Sequence, residues 1–177
     1  MKLVILDRDG VINYDSDQFI KHPDEWKPIP GSLEAIARLN HAGYTVVIAT
    51  NQSGIGRGLF EMSTLVAIHE KLQKMLSQVG GRVDAIFYCP HTADVKCGCR
   101  KPEPGMLQKI AERFETDLTG VPAIGDSLRD LVAAAKVGAS PILVLTGKGS
   151  KTFENGNLPE GTRVYTDLAE AARQLAG

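Results

Sequence analysis

The chain has 177 residues, of which 43% are hydrophobic and 23% charged, and its formal net charge is -1. This length predicts a single domain spanning residues 1–177, and the small net charge gives no general attraction for nucleic acid or for an anionic membrane. Because no apolar run approaches the ~20 residues that span a bilayer and the N-terminus lacks a secretory pattern, we expect a cytoplasmic protein. A monomer is the default, because no conspicuous apolar surface helix is present in the sequence.

Apolar runs along the chain predict six strands, at residues 3–6, 44–49, 83–88, 121–124, 142–145 and 164–165. Amphipathic segments between them predict helices that begin at Ser32, at Ser63, at Pro104 as the first helical residue, at Leu128 and at Leu168. This alternation predicts an α/β fold with a doubly wound parallel sheet and helices on both faces. The stretch 147–161, rich in Gly, Lys and Asn, predicts a mobile loop.

Polar residues follow three of the predicted strands where each strand ends. Asp7 follows the first strand, Thr50 and Asn51 follow the second, and Asp126 follows the fourth. In parallel sheets of this type, ligands bind outside the carboxyl ends of the strands. We therefore expect these side chains to converge on one site.

The segment Asp7-Arg8-Asp9-Gly10 is the strongest indication of chemistry. A carboxylate at a strand end can attack phosphorus once a hard cation relieves its repulsion with the phosphate, and oxygen ligands hold such a cation. A second carboxylate two positions later can protonate the leaving oxygen and then deprotonate water. Gly10 permits the sharp turn between them. Arg8 is expected to be exposed.

Other residues complete this predicted phosphate site. Asp126 supplies a further anionic ligand, and Asp130, four residues later, can support the metal from one helical turn away. Thr50 and Asn51 offer a hydroxyl and backbone N–H groups to phosphate oxygens, and Lys101 offers a mobile positive charge.

Together these motifs resemble the haloacid-dehalogenase superfamily of phosphotransferases over essentially the whole chain. The resemblance implies that Asp7 is the nucleophile, that Asp9 is the general acid/base and binds Mg²⁺ through its carbonyl, and that Asp126 binds the same ion. It also implies that Thr50 and Lys101 bind phosphate. Core elements already fill the intervals before and after Thr50, so we expect no cap domain.

The three cysteines form a second motif. Cys89, His91, Cys97 and Cys99 offer four ligands for tetrahedral zinc, with no position left for water. We expect a structural zinc site that fixes the loop and places the adjacent Arg100 and Lys101 over the active site. The remaining histidines, His22, His41 and His69, show no partner pattern and are expected at the surface or on a helix face.

Two zinc-loop subfamilies without a cap are similar to this chain: enzymes that act on a heptose bisphosphate of the bacterial lipopolysaccharide core, and histidinol-phosphate phosphatases. The segments 50–58 (TNQSGIGRG) and 100–106 (RKPEPGM) are similar to the heptose enzymes, whereas the short interval between His91 and Cys97 is similar to the histidinol group. Histidinol phosphatases tend to have Asp where this chain has Ser53, so an acid that would favour an imidazole-bearing cation is absent. We therefore expect the heptose bisphosphate.

Residues beyond the reacting phosphate are also assigned. The second phosphate would be bound by loop cations, namely Arg57, Lys96, Arg100 and Lys148. The segment TNQS adds Gln52 and Ser53 to the phosphate-binding set, and the resemblance assigns sugar hydroxyls to Asp15, Ser16, Asp17 and Gln18. Two alternatives are a non-catalytic phosphate- or zinc-binding module and phosphate transfer to an acceptor other than water.

Overall fold

A computed structural model describes the whole chain, residues 1–177, and contains one sheet of six parallel strands. The strands are β1 (Lys2–Leu6), β2 (Tyr44–Asn51), β3 (Ala85–Cys89), β4 (Pro122–Gly125), β5 (Ser140–Val144) and β6 (Arg163–Tyr165). Their order in the sheet is β3-β2-β1-β4-β5-β6. This order confirms the predicted doubly wound parallel sheet.

Seven α-helices connect or follow the strands: α1 (Ser32–His41), α2 (Ser53–Gly56), α3 (Met62–Gln78), α4 (Gly105–Arg113), α5 (Leu128–Lys136), α6 (Gly149–Asn155) and α7 (Leu168–Ala176). A short 3-10 helix spans Pro23–Glu25. No helix is both long enough and apolar enough to cross a membrane.

Alternating residues of the strands divide the hydrophobic core between the two faces of the sheet. Val4 and Leu6 of β1 join the cluster that includes α1, α3 and α7, whereas Leu3 and Ile5 join the cluster that includes α4 and α5. Because β1 is buried on both faces, it reads in the sequence as a continuous apolar run.

The direction in which successive strands are added to the sheet reverses between β1 and β4, and this positions the site. From β1 the chain proceeds through β2 to β3 at one edge, and β4 then pairs with the other side of β1. Leu6 is in register with Ile48 on one side and Ile124 on the other. The loops that follow β1, β2 and β4 therefore meet at one end of the sheet, which is the switch point where such folds bind ligands.

Two details differ from the sequence-based expectations. Pro104 is the residue before α4 rather than its first helical residue. The stretch 147–161 contains α6, so the prediction of a loop throughout it was wrong. A polar contact rather than an apolar stripe anchors this helix, since the Thr152 hydroxyl donates a hydrogen bond to the Asp126 carbonyl at 2.8 Å. The absence of a cap domain stays a prediction.

Candidate active site

Three buried carboxylates meet at the end of the sheet. Asp7 follows β1 directly, Asp126 follows β4, and Asp130 lies in the first turn of α5. One carboxylate oxygen of Asp7, one of Asp126 and one of Asp130 lie within 4.8 Å of one another. The structure therefore brings together the metal-binding acids expected from the sequence, with the exception of Asp9.

The carboxylate cluster carries a large electrostatic cost. Burial, followed by the charge of Asp130, raises the pKa of Asp7 well above its ordinary value. The same two causes raise the pKa of Asp126 to about 7. Buried acids that repel one another in this way are stabilised by a cation. The all-oxygen donor set suits a hard divalent cation such as Mg²⁺.

Lys101 supplies a positive charge to this cluster. Its Nζ lies 2.8 Å from Oδ1 of Asp130 and 3.5 Å from Oδ1 of Asp7. Burial would lower the pKa of Lys101, but the charges of Asp130 and Asp7 outweigh this effect and raise it. Burial would likewise raise the pKa of Asp130, and the charge of Lys101 lowers it instead. Lys101 and Asp130 thus form a buried ion pair.

The side chain of Asn51 holds the backbone of Lys101. Its Nδ2 donates a hydrogen bond to the Lys101 carbonyl at 3.2 Å, and its Oδ1 accepts one from the Lys101 N–H at 3.1 Å. Both ends of the amide are therefore engaged. The Asn51 side chain therefore connects the end of β2 to the backbone of Lys101.

Asp9 lies in a separate hydrogen-bond network. Its Oδ1 accepts hydrogen bonds from Arg8 Nε and Asn13 Nδ2, both at 2.9 Å, and its Oδ2 accepts one from Gln52 Nε2 at 3.1 Å. Burial would raise the pKa of Asp9, but the charge of Arg8 and these hydrogen bonds lower it. The second acid of the motif is therefore held apart from the carboxylate cluster.

One expectation about this network was wrong. Arg8 is fully buried rather than exposed, because Asp9 and the side chain of His69 on α3 surround its guanidinium. His69 contacts Arg8 and is partly exposed on α3, which agrees with the expected helix-face position, while His22 and His41 are exposed as expected. Asn13 was not identified from the sequence, where a single buried amide gives no distinguishing pattern.

A polar cavity of about 150 Å³ lies above these groups. Its walls include Asp7 and Asp9 together with most of the expected binding residues, namely Asp15, Ser16, Asp17, Thr50, Asn51, Gln52 and Ser53. Gln18 is not part of the lining. On one side of the cavity, Lys148 Nζ lies 3.2 Å from Oδ2 of Asp15 and 3.8 Å from Oδ1 of Asp17.

The cations of the cavity differ in part from those expected. Arg100 and Lys148 line it, and so does Arg129, which the sequence-based reasoning did not consider. Arg57 instead lies over the ring of Phe19 at 5.6 Å, and Lys96 lies in the loop that carries the cysteines. Arg129 is the second residue of α5, so its position at a helix start beside Asp126 was its only signal.

The cysteine motif forms a compact cluster. The side chains of Cys89, His91, Cys97 and Cys99 have ligand atoms within 4.8 Å of one another, and the three cysteines are free thiols. His91 Nδ1 lies 3.4 Å from the sulfurs of Cys89 and Cys99. Three sulfurs and one imidazole nitrogen at this separation fit a tetrahedral zinc ion.

Comparisons with known proteins agree with this fold and site. A family model described as polynucleotide kinase 3 phosphatase matches residues 2–127, and one described as HAD-hydrolase-like matches residues 98–171. The chain belongs to the haloacid-dehalogenase-like hydrolases, and within them to the family of the D-glycero-beta-D-manno-heptose-1,7-bisphosphate 7-phosphatases, on the strength of the relatives below.

The relatives with that name are similar over nearly their full length. The Bordetella bronchiseptica enzyme is 64% identical across 99% of this chain and 98% of its own. The Pseudomonas putida enzyme is 57% identical across 99% of both. A crystal structure of the D,D-heptose 1,7-bisphosphate phosphatase from B. bronchiseptica, complexed with magnesium and phosphate, superimposes with a TM-score of 0.98 at 64% identity, covering 99% of this chain and 98% of that one.

Proposed function

We propose that this protein hydrolyses the phosphate on carbon 7 of D-glycero-D-manno-heptose 1,7-bisphosphate during the synthesis of bacterial heptose precursors for the lipopolysaccharide core. One observation carries the proposal: 64% identity over 99% of the chain to an enzyme with this activity in its name. The buried cluster of Asp7, Asp126 and Lys101 provides chemistry that matches it.

The carboxylate cluster is the proposed Mg²⁺ site. Asp7 and Asp126 would hold the ion together with the backbone carbonyl of Asp9, while Asp130 supports the site by fixing Lys101. When bound, the ion offsets the negative charge that the nucleophile and the phosphate share. The solved relative with magnesium and phosphate supports this assignment.

The reaction proceeds through two transfers at phosphorus. An oxygen of Asp7 attacks the phosphorus, the bond from phosphorus to the C7 oxygen breaks, and Asp9 donates a proton to that oxygen. Water then attacks the aspartyl-phosphate while Asp9 takes up a proton, and the bond between Asp7 and phosphorus breaks to release phosphate. Lys101 and the Thr50 hydroxyl bind the phosphate oxygens in both steps, with Ser53 and the Asn51 N–H.

The remainder of the substrate fits the polar cavity. Arg100, Arg129 and Lys148 supply the positive charge that a second phosphate requires, since guanidinium and ammonium groups both bind phosphate. Asp15 and Asp17 lie beside Lys148 and offer acceptors to sugar hydroxyls. The cavity therefore combines cations for the remote phosphate with acceptors for the heptose.

We also propose that zinc occupies the cysteine loop and acts structurally. The side chain of Arg100 donates a hydrogen bond to the His91 carbonyl at 3.4 Å, and the N–H of Gly105 donates one to the Gly98 carbonyl at 2.7 Å. These contacts link the loop to residues on both sides of Lys101. Zinc binding would thus order the loop and the phosphate-binding lysine together.

A substrate panel with Mg²⁺ and a free-phosphate readout tests the function. The panel contains the heptose 1,7-bisphosphate, histidinol phosphate and a 3′-phosphorylated oligonucleotide, the last because of the polynucleotide kinase 3 phosphatase match. We expect the highest kcat/KM for the heptose bisphosphate. Better use of either other substrate would overturn the assignment of substrate while leaving the phosphatase chemistry intact.

The chemistry is tested separately by two variants. Asp7→Asn should abolish phosphate release from every substrate, because the amide is not a nucleophile. Glu112→Gln makes the same chemical change at an exposed carboxylate of α4 and should retain the parent activity. Persistent phosphate release by the Asp7→Asn variant would reject the covalent mechanism.

A further inference from the structure

Arg8 is the largest buried cation near the active site whose role the proposed mechanism does not include. Its side chain is 0% exposed, although it lies between the two acids of the motif. Its Nε donates a hydrogen bond to Oδ1 of Asp9 at 2.9 Å, and its NH2 nitrogen lies 2.8 Å from the same oxygen. The guanidinium is thus directed at one oxygen of Asp9 rather than shared between both.

This contact makes the two oxygens of Asp9 different. Oδ1 is surrounded by Arg8 and by Asn13 Nδ2 at 2.9 Å, which leaves it little capacity to carry a proton. Oδ2 accepts one hydrogen bond, from Gln52 Nε2 at 3.1 Å, and Gln52 lines the cavity. Oδ2 is therefore the oxygen that remains available for proton transfer.

His69 fixes the other end of the guanidinium. Its Nε2 lies 3.1 Å from the NH1 nitrogen of Arg8. Since arginine has only donors, this nitrogen of His69 must be the acceptor and the ring must be neutral, with its proton on Nδ1. Burial, followed by the charge of Arg8, lowers the pKa of His69 to about 4, in agreement with a neutral ring.

The packing of α3 fixes the position of His69. The residues before and after it on the inner face of the helix, Leu65, Ile68 and Leu72, are fully or almost fully buried in the core. A helix packed in this way cannot adjust easily to follow a moving side chain. The acceptor for Arg8 therefore has a defined place.

We propose that His69 and Arg8 are positioning residues that hold Asp9 with Oδ2 directed at the leaving oxygen of the substrate. This inference rests on the proposed function, because it assigns a support to the general acid of that reaction. Neither residue touches the substrate. Both residues act through Asp9. Without the His69 acceptor, the Arg8 guanidinium would have an unsatisfied buried donor, and it would shift away from Oδ1 of Asp9 to form another hydrogen bond.

The test compares two substrates whose leaving groups differ in their need for a proton. A sugar alkoxide needs a proton as it departs, whereas para-nitrophenolate leaves without one, so only the first reaction depends on a well-placed acid. His69→Leu removes the acceptor at similar size, and His69→Gln keeps an acceptor on a neutral side chain. Measurements of kcat/KM for the heptose bisphosphate and for para-nitrophenyl phosphate are compared with those of the parent protein.

We expect His69→Leu to lose at least about tenfold more kcat/KM on the sugar phosphate than on the aryl phosphate, and His69→Gln to recover most of the difference. Equal losses on both esters would indicate general structural damage and overturn the proposal, as would unchanged activity on both. If the parent protein releases phosphate from neither ester, the proposed function itself fails. An Arg8→Lys variant provides a second measurement, with the same selective loss expected, because one ammonium cannot contact Asp9 and His69 together.

Discussion

The Nζ atom of Lys101 lies 2.8 Å from Oδ1 of Asp130, and the two side chains are only 5% and 7% exposed. Oδ2 of the same carboxylate accepts hydrogen bonds from the N–H and the hydroxyl of Ser127. Asp130 therefore connects the start of α5 to Lys101. Both of its oxygens act as acceptors, and this determines what a substitution will do.

We predict that Asp130→Asn lowers both stability and turnover. An amide has one acceptor oxygen, so its NH₂ group must face either Lys101 or the donors of Ser127. Leaving a buried donor unsatisfied should reduce the free energy of unfolding by about 2 kcal/mol. The value of kcat should also fall, because Lys101 loses the anion that holds it beside Asp7. Urea unfolding and steady-state kinetics measure the two effects.

The control for this prediction is Glu112→Gln, the same change at an exposed position of α4. Surface substitutions of this kind usually alter stability by less than about 0.5 kcal/mol. If Asp130→Asn behaves like this control in both assays, the buried ion pair has no role in either stability or catalysis.

Much of this site could be predicted from the sequence, and the parts that could not share a physical cause. Asp7, Thr50 and Asp126 were predictable because each follows an apolar run, and parallel strands end at one edge. The burial of Arg8 depends on His69, which is distant in the sequence and lies on a helix whose orientation the apolar pattern does not specify in detail.

The same limit applies to Asn51 and α6. The sequence predicted that Asn51 ends a strand, but not that its side chain contacts the backbone of Lys101. A contact to a backbone group does not depend on the residue type of the partner, so the sequence does not indicate it. The helix α6 was missed because it lacks a continuous apolar face and depends on Thr152 and its bond to the Asp126 carbonyl. Long-range polar contacts of this kind need coordinates.

We predict that Gly10→Ala weakens Mg²⁺ binding. Gly10 has a φ of +84°, and a β-carbon added there would overlap the carboxylate of Asp126. The carboxylate would have to move, so we expect the affinity for Mg²⁺ to fall by about tenfold or more and activity to fall at limiting Mg²⁺. Calorimetric titration with Mg²⁺ measures the affinity directly.

Gly120→Ala is a matched control for that variant. Gly120 has a similar φ of +75°, but nothing lies within 4 Å of the position of an added β-carbon. Both variants should lose roughly 1 kcal/mol of stability from the left-handed backbone. Only Gly10→Ala should lose metal affinity; an equal effect of the two on Mg²⁺ binding would show that strain alone is responsible.

We also predict that Mg²⁺ affinity depends on pH near neutrality. Burial and the charge of Asp130 raise the pKa of Asp126 to about 7 in the metal-free protein, so a proton competes with the ion. Affinity should increase with pH through neutrality, because Asp126 and Asp7, whose pKa is also raised, must both be ionised to bind the ion. Between pH 7 and pH 6 the fraction of ionised Asp126 falls, and the affinity for Mg²⁺ should drop several-fold. At lower pH the proton on Asp126 alone should reduce the affinity by about tenfold for each pH unit.

Calorimetry in two buffers with different heats of ionisation provides the check. Mg²⁺ binding below pH 7 should release protons, which makes the apparent enthalpy depend on the buffer. The Asp126→Asn variant carries no titrating group at this position and should bind Mg²⁺ weakly at every pH. A buffer-independent enthalpy at pH 6 would contradict the raised pKa.

Zinc in the cysteine loop should be required for full activity. The purified protein should contain one zinc ion for each chain, and His91→Asn should reduce that content and lower kcat even at saturating Mg²⁺. The reason is that the Arg100 side chain contacts the His91 carbonyl, and Arg100 directly precedes Lys101, the proposed phosphate-binding residue. The exposed His41→Asn substitution is the control and should alter neither quantity. Elemental analysis measures the zinc content, and steady-state kinetics measures kcat. Loss of zinc with full activity would mean that Lys101 keeps its position without an ordered cysteine loop. Loss of both zinc and activity would mean that the ordered loop is needed to position Lys101.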